Sequence, residues 1–101
     1  MKKYNKLVRD KIPGYIQSKG DRLKFHIADE TEYCIKLFEK LIEEAKEFKE
    51  ARSLEECADV LEVLDTLVTF LHFDRKKLES VCTQKREERG AFEKRIILEE
   101  S

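Results

Sequence analysis

The sequence predicts an all-α fold, an antiparallel bundle of about four helices in one domain over residues 1–101. Two observations support this prediction. Charged residues, mostly Lys and Glu, make up 43% of the chain, which is typical of long helices. Apolar residues also recur at helical spacing in long segments that follow helix-capping signals. With a single proline and three glycines, the chain contains few residues that would interrupt such helices.

The first half of the chain predicts a short helix followed by a long one. The segment Asp10–Pro13 opens the short helix, because proline is tolerated in a first turn, and Gly20 follows its end near residue 19. Apolar and polar residues alternate over 23–27, which predicts an extended stretch. Asp29, with Glu32 three residues later, forms a capping box that opens the second helix, and this helix is expected to end near residue 52.

The second half predicts two further helices. Ser53, with a glutamate three residues later, opens the third helix, which is expected to run to about Phe73. Asp74 caps the fourth helix, which runs to about Arg89 and is followed by Gly90. The tail 91–101 contains several large apolar residues and is expected to dock on another part of the structure.

The third helix is apolar over about half of its circumference. At about 100° per residue, this arc contains Cys57, Val60, Leu61, Val63, Leu64, Leu67, Val68, Phe70 and Leu71. A helix with so wide an apolar arc packs on more than one side, and a chain of 101 residues offers few partners for it. We therefore expect a homo-oligomer, a homodimer or homotetramer, to complete the core.

Charge is distributed unevenly along the chain and argues against several classes of protein. Residues 1–28 carry eight basic and two acidic side chains, whereas residues 29–65 carry five basic and thirteen acidic ones. An acidic centre of this kind does not favour nucleic-acid binding, which needs a basic face. No apolar run reaches the ~20 residues of a membrane span, and no signal peptide is recognised. The three separated cysteines fit reduced thiols and predict a cytoplasmic protein.

Two pairs of carboxylates stand out in the acidic centre. Glu44 and Glu47 are three residues apart on the second helix, and Glu56 and Asp59 are three residues apart on the third. Residues at this spacing share a helix face. Because the link between the two helices is very short, the helices are expected to be antiparallel neighbours. Both pairs lie near the link and are expected to converge on one point.

Glu44 and Glu56 fall inside the apolar arcs of their helices, where an unpaired carboxylate costs several kcal/mol. A divalent cation would remove that cost, and ligands that are all oxygen favour Mg²⁺, with Mn²⁺ as the alternative. The simpler interpretation remains open that these glutamates are ordinary solvent-facing helix formers. In that interpretation Glu56 serves only the capping box opened by Ser53.

Basic residues near both ends are candidates for binding phosphate. A metal site that handles polyphosphate needs cations to hold phosphate oxygens. The candidates are Lys6, Arg9, Lys11, Arg89 and Arg95.

The segment 43–47, Glu-Glu-Ala-Lys-Glu, followed by Glu56-Cys57-Ala58-Asp59, resembles the EExxE…ExxD signature of the MazG-like, all-alpha NTP pyrophosphohydrolase superfamily. The opening segment Tyr4–Pro13 and the closing segments Lys85–Phe92 and Arg95-Ile96 are similar to the small group labelled phosphoribosyl-ATP pyrophosphohydrolase-like.

The resemblance implies a helical oligomer in which Glu44, Glu47, Glu56 and Asp59 hold Mg²⁺ and a nucleoside triphosphate is split into monophosphate and pyrophosphate, often as house-cleaning. Glu43 and Glu44 are then the catalytic candidates, with Glu43 orienting or deprotonating the attacking water. Two alternatives stay open. One is the phosphoribosyl-ATP pyrophosphohydrolase of histidine biosynthesis, and the other is a non-catalytic, oligomeric helical adaptor.

Overall fold

The computed structural model describes residues 2–101, which form four α-helices and no β-strand. The helices are α1 (Ile12–Ser18), α2 (Glu30–Ala51), α3 (Leu54–Phe70) and α4 (Arg75–Arg89). The predicted all-α class and the number of helices are confirmed. The stretch 23–27, which alternation predicted to be extended, is irregular and pairs with no strand among the described residues.

The helices α2 and α3 form an antiparallel hairpin joined by only two residues. Asp29 caps α2, since its side chain accepts a hydrogen bond from the backbone N–H of Glu32 at 2.9 Å. Arg52 ends α2 in the left-handed conformation, and Ser53 caps α3 by accepting from the Glu56 N–H at 3.2 Å. A link this short reverses the chain and places the end of α2 beside the start of α3. Both predicted caps are confirmed.

A small apolar core lies between these two helices. Within residues 2–101 the buried apolar side chains are Leu37 of α2 and Leu67 and Val68 of α3. At the end of the hairpin distant from the link, the Tyr33 ring meets the Phe70 ring edge-on, with centroids 5.2 Å apart. Packing along the hairpin therefore fixes the register that brings acidic residues of α2 and α3 together near the link.

Helix α3 ends at Phe70, three residues before the predicted end at Phe73. The backbone of His72 adopts the left-handed conformation, with φ of 59°, which cannot continue a right-handed helix. Arg75 at the start of α4 then pairs with Asp65 and donates to the Thr69 hydroxyl at 2.8 Å. Periodicity alone could not locate this end, because the apolar pattern continues through the turn.

Within the described chain, α2 and α3 are the two helices that pack extensively on each other. Helix α1 and helix α4 contain no fully buried residue, and neither packs extensively on α2 or α3. The tail 91–101 is exposed on this chain, with Phe92 97% exposed, so the docking expected for the tail stays a prediction. The radius of gyration is 18.0 Å, whereas a compact chain of about 100 residues has about 13 Å. None of the described helices combines the length and apolarity that a bilayer crossing requires.

Candidate metal centre

Three carboxylates meet between α2 and α3 near the link. Glu44 of α2 and Glu56 and Asp59 of α3 each present one oxygen, and these three oxygens lie within 4.8 Å of one another. We call these residues the acidic triad. Their convergence follows from the hairpin, because the antiparallel pairing opposes the last turns of α2 to the first turns of α3.

Glu44 is the most deeply placed member of the acidic triad. Its side chain lies on the core side of α2, and only 6% of the residue is exposed. One carboxylate oxygen, Oε2, is buried and has no hydrogen-bond partner. Burying a carboxylate oxygen without a partner costs free energy. The position therefore suits a ligand that this oxygen can bind.

Glu56 also carries a buried carboxylate oxygen, Oε2, without a hydrogen-bond partner. In a complete capping box this carboxylate would return to the backbone N–H of Ser53. That return bond is not among the hydrogen bonds of residues 2–101, although the Glu56 N–H does donate to the Ser53 hydroxyl. The capping role therefore uses the backbone of Glu56 and leaves its carboxylate facing the other two acids.

Burial raises the pKa of the Glu44 carboxyl above its ordinary value, and the neighbouring charge of Glu47 raises it further. Lys40, one turn earlier on α2, opposes this effect with its ammonium 3.3 Å from Glu44 Oε1. The ammonium compensates one of the two carboxylate oxygens. The other, Oε2, is the one directed away from any donor.

The donor set of the acidic triad fits a hard divalent cation. Oxygens around an octahedral Mg²⁺ at about 2.1 Å lie roughly 3 to 4 Å apart, so modest rotation of three carboxylates already within 4.8 Å can satisfy that geometry. Mg²⁺ keeps several water molecules, so three protein ligands are sufficient. Neither histidine nor cysteine belongs to the set, which makes zinc a poor match.

The two other acidic candidates lie beside the acidic triad. Glu47 is exposed, close enough to Glu44 to affect its pKa, but it is outside the set of three mutually close oxygens. Glu43, the candidate for orienting water, accepts a hydrogen bond from Lys6 at 3.0 Å and lies 3.9 Å from the ammonium of Lys40. Both remain predictions as functional residues.

The segment of residues 2–9, which we call the N-terminal arm, crosses the acidic side of the hairpin. The Asn5 carbonyl accepts from Lys36 of α2 at 2.9 Å, and Lys6 pairs with Glu43. Arg9 donates to Asp59 Oδ1 at 2.6 Å and lies 3.7 Å from Glu62. Hydrogen bonds to these carboxylates raise the pKa values of Lys6 and Arg9 above their ordinary values.

The remaining basic candidates are not brought to the acidic triad within one chain. Lys11 is exposed at the start of α1, Arg89 lies in the last turn of α4, and Arg95 is in the exposed tail. None of the three forms an ion pair with another described residue. Of the five predicted phosphate contacts, the structure places Lys6 and Arg9 beside the acids.

Sequence reasoning missed three residues that shape this site. Lys40 pairs with Glu44 at a spacing of four residues, a signal that was present in the sequence but is also common on ordinary helices. Lys36 and Glu62 hold the N-terminal arm across long sequence separations. Local patterns carry no signal for contacts of that kind.

Comparisons with protein-family models, with curated proteins and with solved structures found no match to this chain.

Proposed function

We propose that this chain is a Mg²⁺-dependent nucleotide pyrophosphohydrolase that cleaves nucleoside triphosphates, or related nucleotides, to a monophosphate and pyrophosphate. The observation that carries the proposal is the buried Oε2 of Glu44, which has no partner and lies in the acidic triad. Lys40 leaves Oε2 of this buried carboxylate without a partner, whereas a divalent ion would compensate all three acids together. The likeness of residues 43–59 to the EExxE…ExxD signature supports the same function.

The residues of the acidic triad would hold Mg²⁺ or Mn²⁺, with Glu47 available at the exposed edge as a fourth ligand. The ion would supply charge stabilisation to phosphate oxygens and lower the pKa of an attacking water. Water forms a bond to the α-phosphorus, and the bond from that phosphorus to the bridging oxygen breaks. Pyrophosphate is the leaving group, and a proton of the water passes to a nearby carboxylate or to solvent.

The groups of the chain that surround the acidic triad suit a polyphosphate. Lys6 and Arg9 approach from the N-terminal arm, where they pair with Glu43 and with Asp59. Two cations at the edge of an acidic site can hold phosphate oxygens that the acids themselves would repel. Glu43 remains the carboxylate predicted to orient the water.

We further propose that a second copy of the chain covers an apolar face of the hairpin, as a homodimer or within a homotetramer. The exposed apolar residues of this face are Ile35, Phe38, Ile42, Leu54, Leu61 and Leu64. At 100° per residue, these residues lie about 80–180° around the helix axis from Glu44 on α2 and from Glu56 on α3. Seen from one end of the hairpin, the two antiparallel helices wind in opposite directions. The exposed apolar residues of α2 and those of α3 therefore fall on the same side of the hairpin. Patches of this kind mark association surfaces.

The function is tested by incubating the purified protein with a panel of nucleoside triphosphates and Mg²⁺ and measuring pyrophosphate release. Glu44→Gln and Asp59→Asn should reduce turnover by about 100-fold or more, because each removes a metal ligand. The matched control is Glu79→Gln, which removes the same charge from the exposed surface of α4 and should leave turnover unchanged. Undiminished turnover in the Glu44 variant would refute the assignment.

Two comparisons separate this function from the alternatives. Relative turnover of phosphoribosyl-ATP and of nucleoside triphosphates decides between the histidine-biosynthetic reaction and nucleotide clearance. Thermal unfolding with and without Mg²⁺ decides between an enzyme and an adaptor. An ion present at 100 times its dissociation constant stabilises a protein by about 2.7 kcal/mol, so an unchanged melting temperature at millimolar Mg²⁺ would favour the adaptor.

A further inference from the structure

The N-terminal arm holds one member of the acidic triad by a direct ion pair. Arg9 Nη2 lies 2.6 Å from Asp59 Oδ1, and Arg9 Nη1 lies 3.7 Å from Glu62. A guanidinium at that distance donates a charge-assisted hydrogen bond to the carboxylate of a residue that the proposed metal site would also use. A metal ion would therefore compete with Arg9 for the Asp59 carboxylate.

The other attachments of the arm do not involve the acidic triad. Lys36 binds the Asn5 carbonyl at 2.9 Å, and Lys6 pairs with Glu43 at 3.0 Å. These two contacts can persist when the Arg9–Asp59 pair opens. Asn5 also adopts a left-handed conformation, with φ of 48°, so the arm bends just before Lys6 and four residues before Arg9.

We propose that Arg9 is a latch that exchanges Asp59 for phosphate when metal binds, so that the site takes up the divalent cation before the nucleotide. Without metal, the guanidinium compensates the charge of Asp59. A divalent cation held by the acids would compensate Asp59 in place of Arg9 and would repel the like charge of the guanidinium, which would then be free to donate to phosphate oxygens. The proposal rests on the metal site of the proposed function and assigns Arg9 an additional role in the order of binding.

Metal affinity measured without nucleotide tests the latch. Isothermal titration with Mg²⁺ alone is compared for wild type, Arg9→Gln and Lys6→Gln. Removing Arg9 should tighten Mg²⁺ binding by about threefold to fivefold, the range expected when a half-exposed ion pair no longer competes. Lys6→Gln is the matched control, since it removes the same charge from the same arm, but its partner Glu43 is outside the acidic triad. Its effect on affinity should be clearly smaller.

Two further measurements test whether the Arg9 side chain leaves Asp59 when Mg²⁺ binds. In wild type, the NMR signal of the Arg9 Nε–H, assigned by its loss in Arg9→Gln, should shift as Mg²⁺ is added. With Mg²⁺ saturating, Arg9→Gln should weaken the binding of a non-hydrolysable nucleoside triphosphate by about tenfold, as expected for one charge-assisted hydrogen bond.

The outcomes separate the latch from the function on which it rests. If wild type binds no Mg²⁺, the metal site itself is refuted and the latch with it. If wild type binds Mg²⁺ but Arg9→Gln and Lys6→Gln change the affinity equally, or the Arg9 signal does not move, the metal site stands and the latch is refuted.

Discussion

At the scale of single residues, Glu44 combines burial, charge and an oxygen without a partner. Its position inside the apolar arc of α2 could be predicted from helical periodicity, because an acid among residues such as Leu37 and Leu41 must face the core side of the helix. The contacts of Lys6 and Arg9 could not be predicted in the same way. They join residues 37 and 50 positions apart, and their partners are fixed only by the tertiary path of the arm.

The raised pKa of Glu44 predicts a pH-dependent cost in the metal-free protein. When an acid has a higher pKa in the folded state than in the unfolded state, the protein loses stability as pH rises from the unfolded-state pKa through the folded-state pKa. Below that window both states are protonated and the cost is absent. Glu44→Gln removes the ionisable group, so it should raise the melting temperature at pH 7 in the absence of metal, by an amount that shrinks toward pH 4.

Thermal unfolding in the presence of a chelator at several pH values measures this difference. Glu50→Gln is the matched control, because it removes an exposed acid from the same helix. It should show no comparable dependence on pH. Equal behaviour of the two variants would mean that Glu44 carries no buried-charge cost, which would remove the physical reason for a cation at this position.

At the scale of secondary structure, capping signals were the most informative part of the sequence. Asp29, Ser53 and Asp74 each cap the helix that they were predicted to open, and Ser53 marks the short link between α2 and α3. The end of α3 was less predictable, since the conformation of His72 results from the turn into α4 and not from a strong local stop signal. Helix starts were therefore better determined by the sequence than this helix end.

The cap at Ser53 predicts a measurable effect on stability. Ser53→Ala removes the acceptor for the Glu56 N–H and should lower the free energy of unfolding by about 1 kcal/mol. Ser53→Asn retains a capping side chain and should lie close to wild type. Urea denaturation followed by circular dichroism measures both variants, and an alanine variant as stable as wild type would show that this cap does not hold the start of α3.

At the scale of the whole molecule, a long hairpin and a protruding α4 leave much apolar surface uncovered. The chain has a core that is small for its length. Its radius of gyration is 18.0 Å, and three apolar residues are buried within the described part of the chain. The wide apolar arc of α3 predicts that a second copy of the chain covers this surface, and that partner stays a prediction. The docking expected for the tail also stays a prediction, because periodicity reports that a segment is apolar and does not specify its partner.

The apolar face predicts a specific change in oligomeric state. If the proposed oligomer forms through this face, Leu61→Glu places a charge in the middle of the interface and should leave a monomer at micromolar concentration. Gln84→Glu, which adds the same charge to the exposed surface of α4, should leave the oligomer intact. Sedimentation velocity measures both. An oligomer that survives Leu61→Glu would place the interface elsewhere.

The central claim is that Glu44, Glu56 and Asp59 together hold a hard divalent cation. A titration of Mn²⁺ followed by electron paramagnetic resonance, in which bound ion loses the signal of the free aqueous ion, tests it most directly. We predict saturable binding that Mg²⁺ displaces and that Glu44→Gln abolishes. Binding of Mn²⁺ that is absent, or that is undiminished in the Glu44→Gln variant, would contradict the claim.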